Sequence, residues 1–175
     1  CGYNSTKEQQ HGKIVENILK LPKDLLERIQ FIFPMTYGDS VHKEKIKDIL
    51  NQTNLDYIVL EEFLYGDNNA NIKLASDIMI NILETDSFSG SMQEFLYANN
   101  IIITGGWLPY EVFDNAGIQY VKINDIDDLS SKLEKIIDSV KRSMGESQIG
   151  ITIVNQKEKE IYTDSKIGKN IKIKD

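Results

Sequence analysis

Five short β-branched runs, spaced by about 25 residues and separated by longer segments with helical periodicity, set the tightest limit on what this chain can fold into. The runs are Phe31-Ile32-Phe33, Tyr57-Ile58-Val59-Leu60, Ile78-Met79-Ile80-Asn81-Ile82, Ile101-Ile102-Ile103 and Tyr120-Val121-Lys122-Ile123. Each reads as apolar on both faces, as strands of a sheet covered by helices on each side must be. This alternation predicts an α/β domain, a Rossmann-like parallel sheet with helices on both faces.

Helical patterns fall between the runs. They are predicted at about Lys7 to Leu21, Lys23 to Ile29, Val41 to Gln52, Asn69 to Ser76, Ser89 to Asn99, Pro109 to Ala116 and Asp127 to Ser143. Pro109 is placed in the first turn of its helix and Gly117 at its stop. The alternation also expects a strand ahead of the first helix, ending at Cys1-Gly2, so the sequence is expected to start within or just after a truncated first strand. Residues 1–143 are assigned to the Rossmann-like domain and 144–175 to a helical extension packed on it. Within that extension Ile149 to Val154 has strand-like β-branching.

Composition excludes several classes. The 175 residues are 41% apolar and 27% charged, which fits a folded globular domain. A net charge of −7 argues against a nucleic-acid binder, whose affinity rests on Lys and Arg against phosphate. The Lys-rich stretch from Lys157 to Lys174 is interleaved with Glu158, Glu160 and Asp164 and reads as a solvated terminus. No apolar run approaches membrane-spanning length and no secretory signal is recognised. The one cysteine, Cys1, has no partner for an internal bridge and fits a reducing compartment. His11 and His42 are isolated, and no metal site is expected.

The loops that follow the runs carry the chemistry. In open α/β sheets ligands sit beyond the carboxyl ends of the strands. Gly2-Tyr3-Asn4-Ser5-Thr6 has the small and polar residues that let a backbone approach a diphosphate or sugar, with Lys7 and His11 nearby to offset charge; it also fits an ordinary capped connection. Thr36 lies in Pro34-Met35-Thr36-Tyr37-Gly38, at the mouth or in a tight turn. Phe63 and Tyr65 are candidates for an apolar wall, or one of them for the core. Ser87, Ser89, Gly90 and Ser91 lead into a helix whose N-terminus attracts anions, while Ser87 or Ser89 also suits a simple helix cap. Asp86 in the loop and Glu94 in the helix supply two carboxylates, of which Glu94 suits a ribose diol. Gly105-Gly106-Trp107 permits close backbone approach, with Trp107 facing a sugar, an interface or the core.

The pair Asp86-x7-Glu94 and the order of the apolar runs resemble the donor-binding half of GT-B glycosyltransferases, in particular the large retaining family with an acidic residue, seven others, then Glu. Asp86 stands where that family has Glu. The resemblance runs from Gly2 to about Val140. It implies a nucleotide-sugar-binding domain of a hexosyltransferase, using a UDP- or GDP-sugar in cell-surface polysaccharide synthesis, with a saccharide or lipid-linked acceptor. It implies Asp86 as the catalytic contact to the transferred sugar. Gly2, Asn4, Thr36, Phe63, Ser87, Ser89, Gly90, Ser91 and Glu94 are implied to bind the donor. It further implies no required metal or cofactor, a separate N-terminal acceptor-binding domain without which this domain binds but does not turn over, and a cytoplasmic place, peripheral on the inner membrane face in the full-length protein. The alternative is a non-catalytic Rossmann-like partner or regulatory subunit.

Overall fold

The computed structural model describes residues 2–144, with side chains to residue 140; the expected helical extension and its Ile149 to Val154 stretch lie outside the described residues. Five strands form where the β-branched runs stand: β1 Gln30–Pro34, β2 Asp56–Leu60, β3 Ile78–Asn81, β4 Ile101–Gly105 and β5 Val121–Ile123. All pair in parallel. Seven α-helices alternate with them: α1 His11–Ile18, α2 Lys23–Leu26, α3 Ser40–Asn51, α4 Asp67–Ala75, α5 Gly90–Tyr97, α6 Glu111–Asn115 and α7 Leu129–Met144. Among the described residues no helix is long and apolar enough to cross a membrane.

Alternation of side chains along the strands builds two apolar layers. Ile80, Ile103 and Ile123 turn to one face, where they join Ile14, Val15 and Ile18 of α1 and Leu129, Leu133 and Ile137 of α7. Met79 and Ile102 turn to the other, against Met92 of α5, Phe113 of α6 and Tyr110 just ahead of α6. The first layer also takes Phe31 and Phe33 of β1 and Ile46 and Leu50 of α3, so one core spans both ends of the fold.

The expected single sheet is instead two: β1 with β2, and β3-β4-β5. Among the described residues no strand lies between β1 and β3. Parallel strands pair only when a neighbour of the right register lies alongside, and five runs of apolar residues do not specify that neighbour. Nor are all strands covered on both faces. β1 alternates buried and half-buried positions, and β2 is half-buried along its length with Asp56 exposed, as befits an outer strand.

Several helix boundaries differ from expectation, α1 stopping at Ile18 rather than Leu21 and α2 at Leu26 rather than Ile29. The first helix is not continuous from Lys7: a 3-10 turn at Lys7–Gln9 ends at Gln10, whose φ of 55° is left-handed, and α1 starts only at His11. The Gln10 side-chain amide donates to the Ile82 carbonyl at 3.2 Å, tying this turn to the end of β3. Pro109 does not occupy a first turn, since α6 begins at Glu111 after Tyr110. Gly117 does follow the end of α6, at φ 71°.

Candidate functional site

The segment from Gly2 to Gln10 fastens the two sheets at their carboxyl rim. Gly2 N–H donates to the Ile80 carbonyl at 3.0 Å and Ser5 N–H to the Tyr37 carbonyl at 2.8 Å, while Glu84 N–H donates to the Glu8 carbonyl at 2.9 Å. The loop after β1 and the loop after β3 are thus held by the same nine residues. Gly2 is required here: its φ is 67°, and a Cβ would lie 2.6 Å from Gln9 Oε1.

Behind this rim lies a cavity of about 270 Å³. It brings together five of the residues expected to bind a donor: Gly2, Thr36, Phe63, Ser91 and Glu94. Tyr37 and Phe63 flank its mouth with ring centroids 6.3 Å apart, and Tyr65 continues the cluster at 4.7 Å from Phe63. Phe63 is 54% exposed and Tyr65 75%, so neither is core; Phe63 lines the cavity together with Tyr37, and Tyr65 does not.

Glu94 is placed differently from a bare ribose acceptor. Its Oε2 lies 2.9 Å from Lys73 Nζ, which also donates to Asn69 Oδ1 at 2.5 Å. Lys73 is buried and lines the cavity beside Glu94. A lysine in a nine-residue helix reads from sequence as solvated; Ile72 and Ala75, three apart, were the available signal that one face of α4 turns inward, while Leu74 is exposed. Asp77 also lines the cavity, and burial pushes its carboxyl up to about 6.

The other expected residues lie outside the cavity lining. Asn4 is buried and uses Oδ1 to accept from Thr6 N–H at 2.9 Å, closing its own turn. Ser89 is the N-cap of α5, its Oγ accepting from Met92 N–H at 3.0 Å, which is the plain capping role. Ser87 is exposed and donates its N–H to Asp86 Oδ1 at 2.7 Å. Gly90 is exposed with open space on its Cβ side, so its own fold places nothing against it.

Asp86 has both carboxylate oxygens engaged. Besides the Ser87 contact, Oδ2 accepts from Tyr110 Oη at 2.5 Å, and that hydroxyl accepts from Asn81 Nδ2 at 3.0 Å. Burial first, then the bond to Asp86, holds the Tyr110 phenol well above its ordinary value. Tyr3 lines the cavity, and its phenol is raised by burial and next by the Asp86 charge. Nothing in the sequence spacing of Tyr110 points to Asp86, 24 residues away.

His11 is unsuited to neutralise a diphosphate. It is fully buried, neither ring nitrogen has a hydrogen-bond partner, and burial with nearby positive charge lowers it to about 3, so it is neutral at physiological pH. Lys7 stays exposed, 3.9 Å from Asp39. The closeness allowed by Gly105 is filled by the chain itself: a Cβ there would fall 2.4 Å from Trp107 Cε2, and the indole N–H donates to the Leu83 carbonyl at 2.9 Å. Phe88 stacks on Phe113 at 5.2 Å, the packing anchor of its loop.

Comparison of the chain with protein-family models, with curated proteins and with solved structures gave no match. The shown architecture is α/β, two small parallel sheets flanked by helices, compatible with a Rossmann-like arrangement.

Proposed function

We propose that the chain is the nucleotide-sugar-binding half of a GT-B-type glycosyltransferase, which takes a UDP- or GDP-sugar as donor and serves cell-surface polysaccharide synthesis. One juxtaposition carries the reading: Gly2, Thr36 and Phe63, drawn from three separate loops, and Ser91 and Glu94 of α5 share one cavity toward the carboxyl ends of parallel strands.

In this reading the base lies against Phe63 and Tyr37, whose rings offer a flat exposed face. The ribose meets Glu94, an exposed carboxylate held in place by its ion pair with Lys73. The diphosphate lies along the start of α5 at Gly90 and Ser91, where open space beside Gly90 admits a close approach to backbone N–H groups and the helix dipole favours negative charge. The transferred sugar extends past Tyr3 toward Asp86. The chemistry is stabilisation of the departing diphosphate, with the acceptor presented across a cleft by a second domain.

The test is a two-dimensional NMR titration of the labelled chain with UDP, GDP, AMP and NAD, following the amides of Thr36, Phe63, Ser91 and Glu94. Saturable shifts with UDP or GDP alone, abolished in Glu94→Ala, are expected. Equal response to AMP and NAD, or shifts confined to residues away from the cavity, would overturn the assignment.

A further inference from the structure

Asp86 is half-buried in a loop whose other members, from Glu84 to Phe88, are exposed, and the loop is tied down on either side of it. Ahead of Asp86 the Leu83 carbonyl accepts from the Trp107 indole and Glu84 N–H donates to the Glu8 carbonyl. After it Phe88 stacks on Phe113 and Ser89 caps α5. These contacts fix the path of the backbone, and the carboxylate still has its own side-chain torsions to settle. Of the two donors on that carboxylate, Ser87 N–H belongs to the same loop and moves with it. The Tyr110 hydroxyl belongs to the turn just ahead of α6, so it refers the Oδ2 atom to a different part of the fold.

Tyr110 is itself held in direction. Its buried ring packs in the layer with Met79, Met92 and Ile102 and meets Phe113 edge-on at 5.6 Å. Asn81, fully buried on β3, donates its Nδ2 to the phenol oxygen. An amide nitrogen only donates, so the phenol oxygen accepts there and its single proton is directed to Asp86 Oδ2. A phenylalanine would pack the same ring without the desolvation that a buried hydroxyl costs. What the hydroxyl adds is a bond from the β3 strand, through Tyr110, to one oxygen of a loop carboxylate. Functional side chains that stand on loops need this kind of support from rigid elements if their geometry is to be narrow.

The carboxylate so held lies near the cavity. The helix that follows it, α5, contributes Ser91 and Glu94 to the lining, and the lining residue Tyr3 feels the Asp86 charge. Each Asp86 oxygen has two lone pairs and accepts one bond, from Ser87 or from Tyr110, so each keeps one for a ligand hydroxyl. We infer that Tyr110, oriented by Asn81, is a positioning residue that sets the direction in which Asp86 offers its remaining lone pairs to the transferred sugar. This rests on the nucleotide-sugar reading and adds to it a residue that stands outside the cavity lining.

The experiment is calorimetric titration of the 175-residue chain with UDP against UDP-glucose and with GDP against GDP-mannose. The quantity read is the ratio of the two affinities within a pair, which isolates the contact to the sugar and does not follow a general loss of stability. Asp86→Ala and Tyr110→Phe are each expected to lower that ratio about tenfold, the scale of one well-placed hydrogen bond, and the double variant no further than Asp86→Ala alone. Where Tyr110→Phe fails to fold, Asn81→Leu combined with Tyr110→Phe takes its place, because it removes the orphaned amide and still leaves Asp86 without its phenol donor. A ratio that falls for Asp86→Ala and holds for Tyr110→Phe overturns the positioning role while the nucleotide-sugar reading stands. A ratio that neither variant moves, or losses that add in the double variant, overturn the role likewise. A parent chain that binds none of these compounds overturns the nucleotide-sugar reading, and the role with it.

Discussion

Lys73 Nζ sits 2.9 Å from Glu94 Oε2 although only 9% of the lysine side chain reaches solvent, while 57% of the glutamate side chain does. The pair is thus lopsided. Its buried partner is the cation, and its exposed partner is the residue facing an incoming ligand.

That asymmetry separates two substitutions. Glu94→Ala leaves a buried ammonium held by Asn69 and is expected to cost about 1–2 kcal/mol of stability, between the values for exposed and buried pairs. Lys73→Met replaces the ammonium with an apolar group of similar length and is expected to change stability by less than about 1 kcal/mol. Urea unfolding of the two variants and their double mutant decides it: the double mutant should be no less stable than Lys73→Met alone.

Two buried titrating groups act in opposite directions with pH. Asp77 is raised from 3.8 to about 6, so its stabilising protonation is complete near pH 4 and is lost as pH rises through 6. His11 is lowered from 6.5 to about 3, so the fold that requires it neutral loses stability as pH falls below 6.5. Between pH 4 and 6 the two slopes offset each other. Asp77→Asn removes one of them. It is expected to be more stable than the parent at pH 7 by on the order of 2 kcal/mol, to lose that lead by pH 4, and to fall by about 1.4 kcal/mol per pH unit below 6. Denaturant curves across that range read the sign directly.

Tyr110→Phe withdraws the hydroxyl that joins Asn81 to Asp86. Asn81 is fully buried and its Oδ1 already lacks a partner, so the loss leaves its amide nitrogen uncompensated as well, at a cost of about 1–3 kcal/mol. Asn81→Leu in the Tyr110→Phe background removes both orphaned atoms and is expected to recover part of the loss, measured by calorimetry.

The strands were legible because β-branched runs have no other reading at that spacing, and all five runs became strands within a residue or two of the expected limits. The amphipathic helices were legible for the same reason, Ile14, Ile18, Leu133 and Ile137 being where the 3.6-residue period puts them. Pairing was not, since the gap between β1 and β3 is a property of edges and the pattern describes faces. The left-handed Gln10 was hidden because that conformation is a habit of glycine and asparagine. His11 looked exposed among polar neighbours, yet it is covered because the Gly2 to Gln10 segment folds back over the start of α1. Of the candidate site, Gly2, Thr36 and Phe63 were placed by their position after the strands, and they line one cavity. Ser89 and Asn4 took their local hydrogen-bonding roles, and Lys73 and Tyr110 act through partners distant in sequence, which a local pattern does not reveal.

Trp107 is the only tryptophan, its indole ring packed over Gly105 at the end of β4 and its N–H tied to Leu83 just beyond β3. The chain therefore carries an intrinsic optical label at the rim of one sheet and none on the other. Changes in emission report how β3 and β4 meet at that rim, and a resonance-transfer acceptor placed on α3 would turn the distance between the two sheets into a colour change.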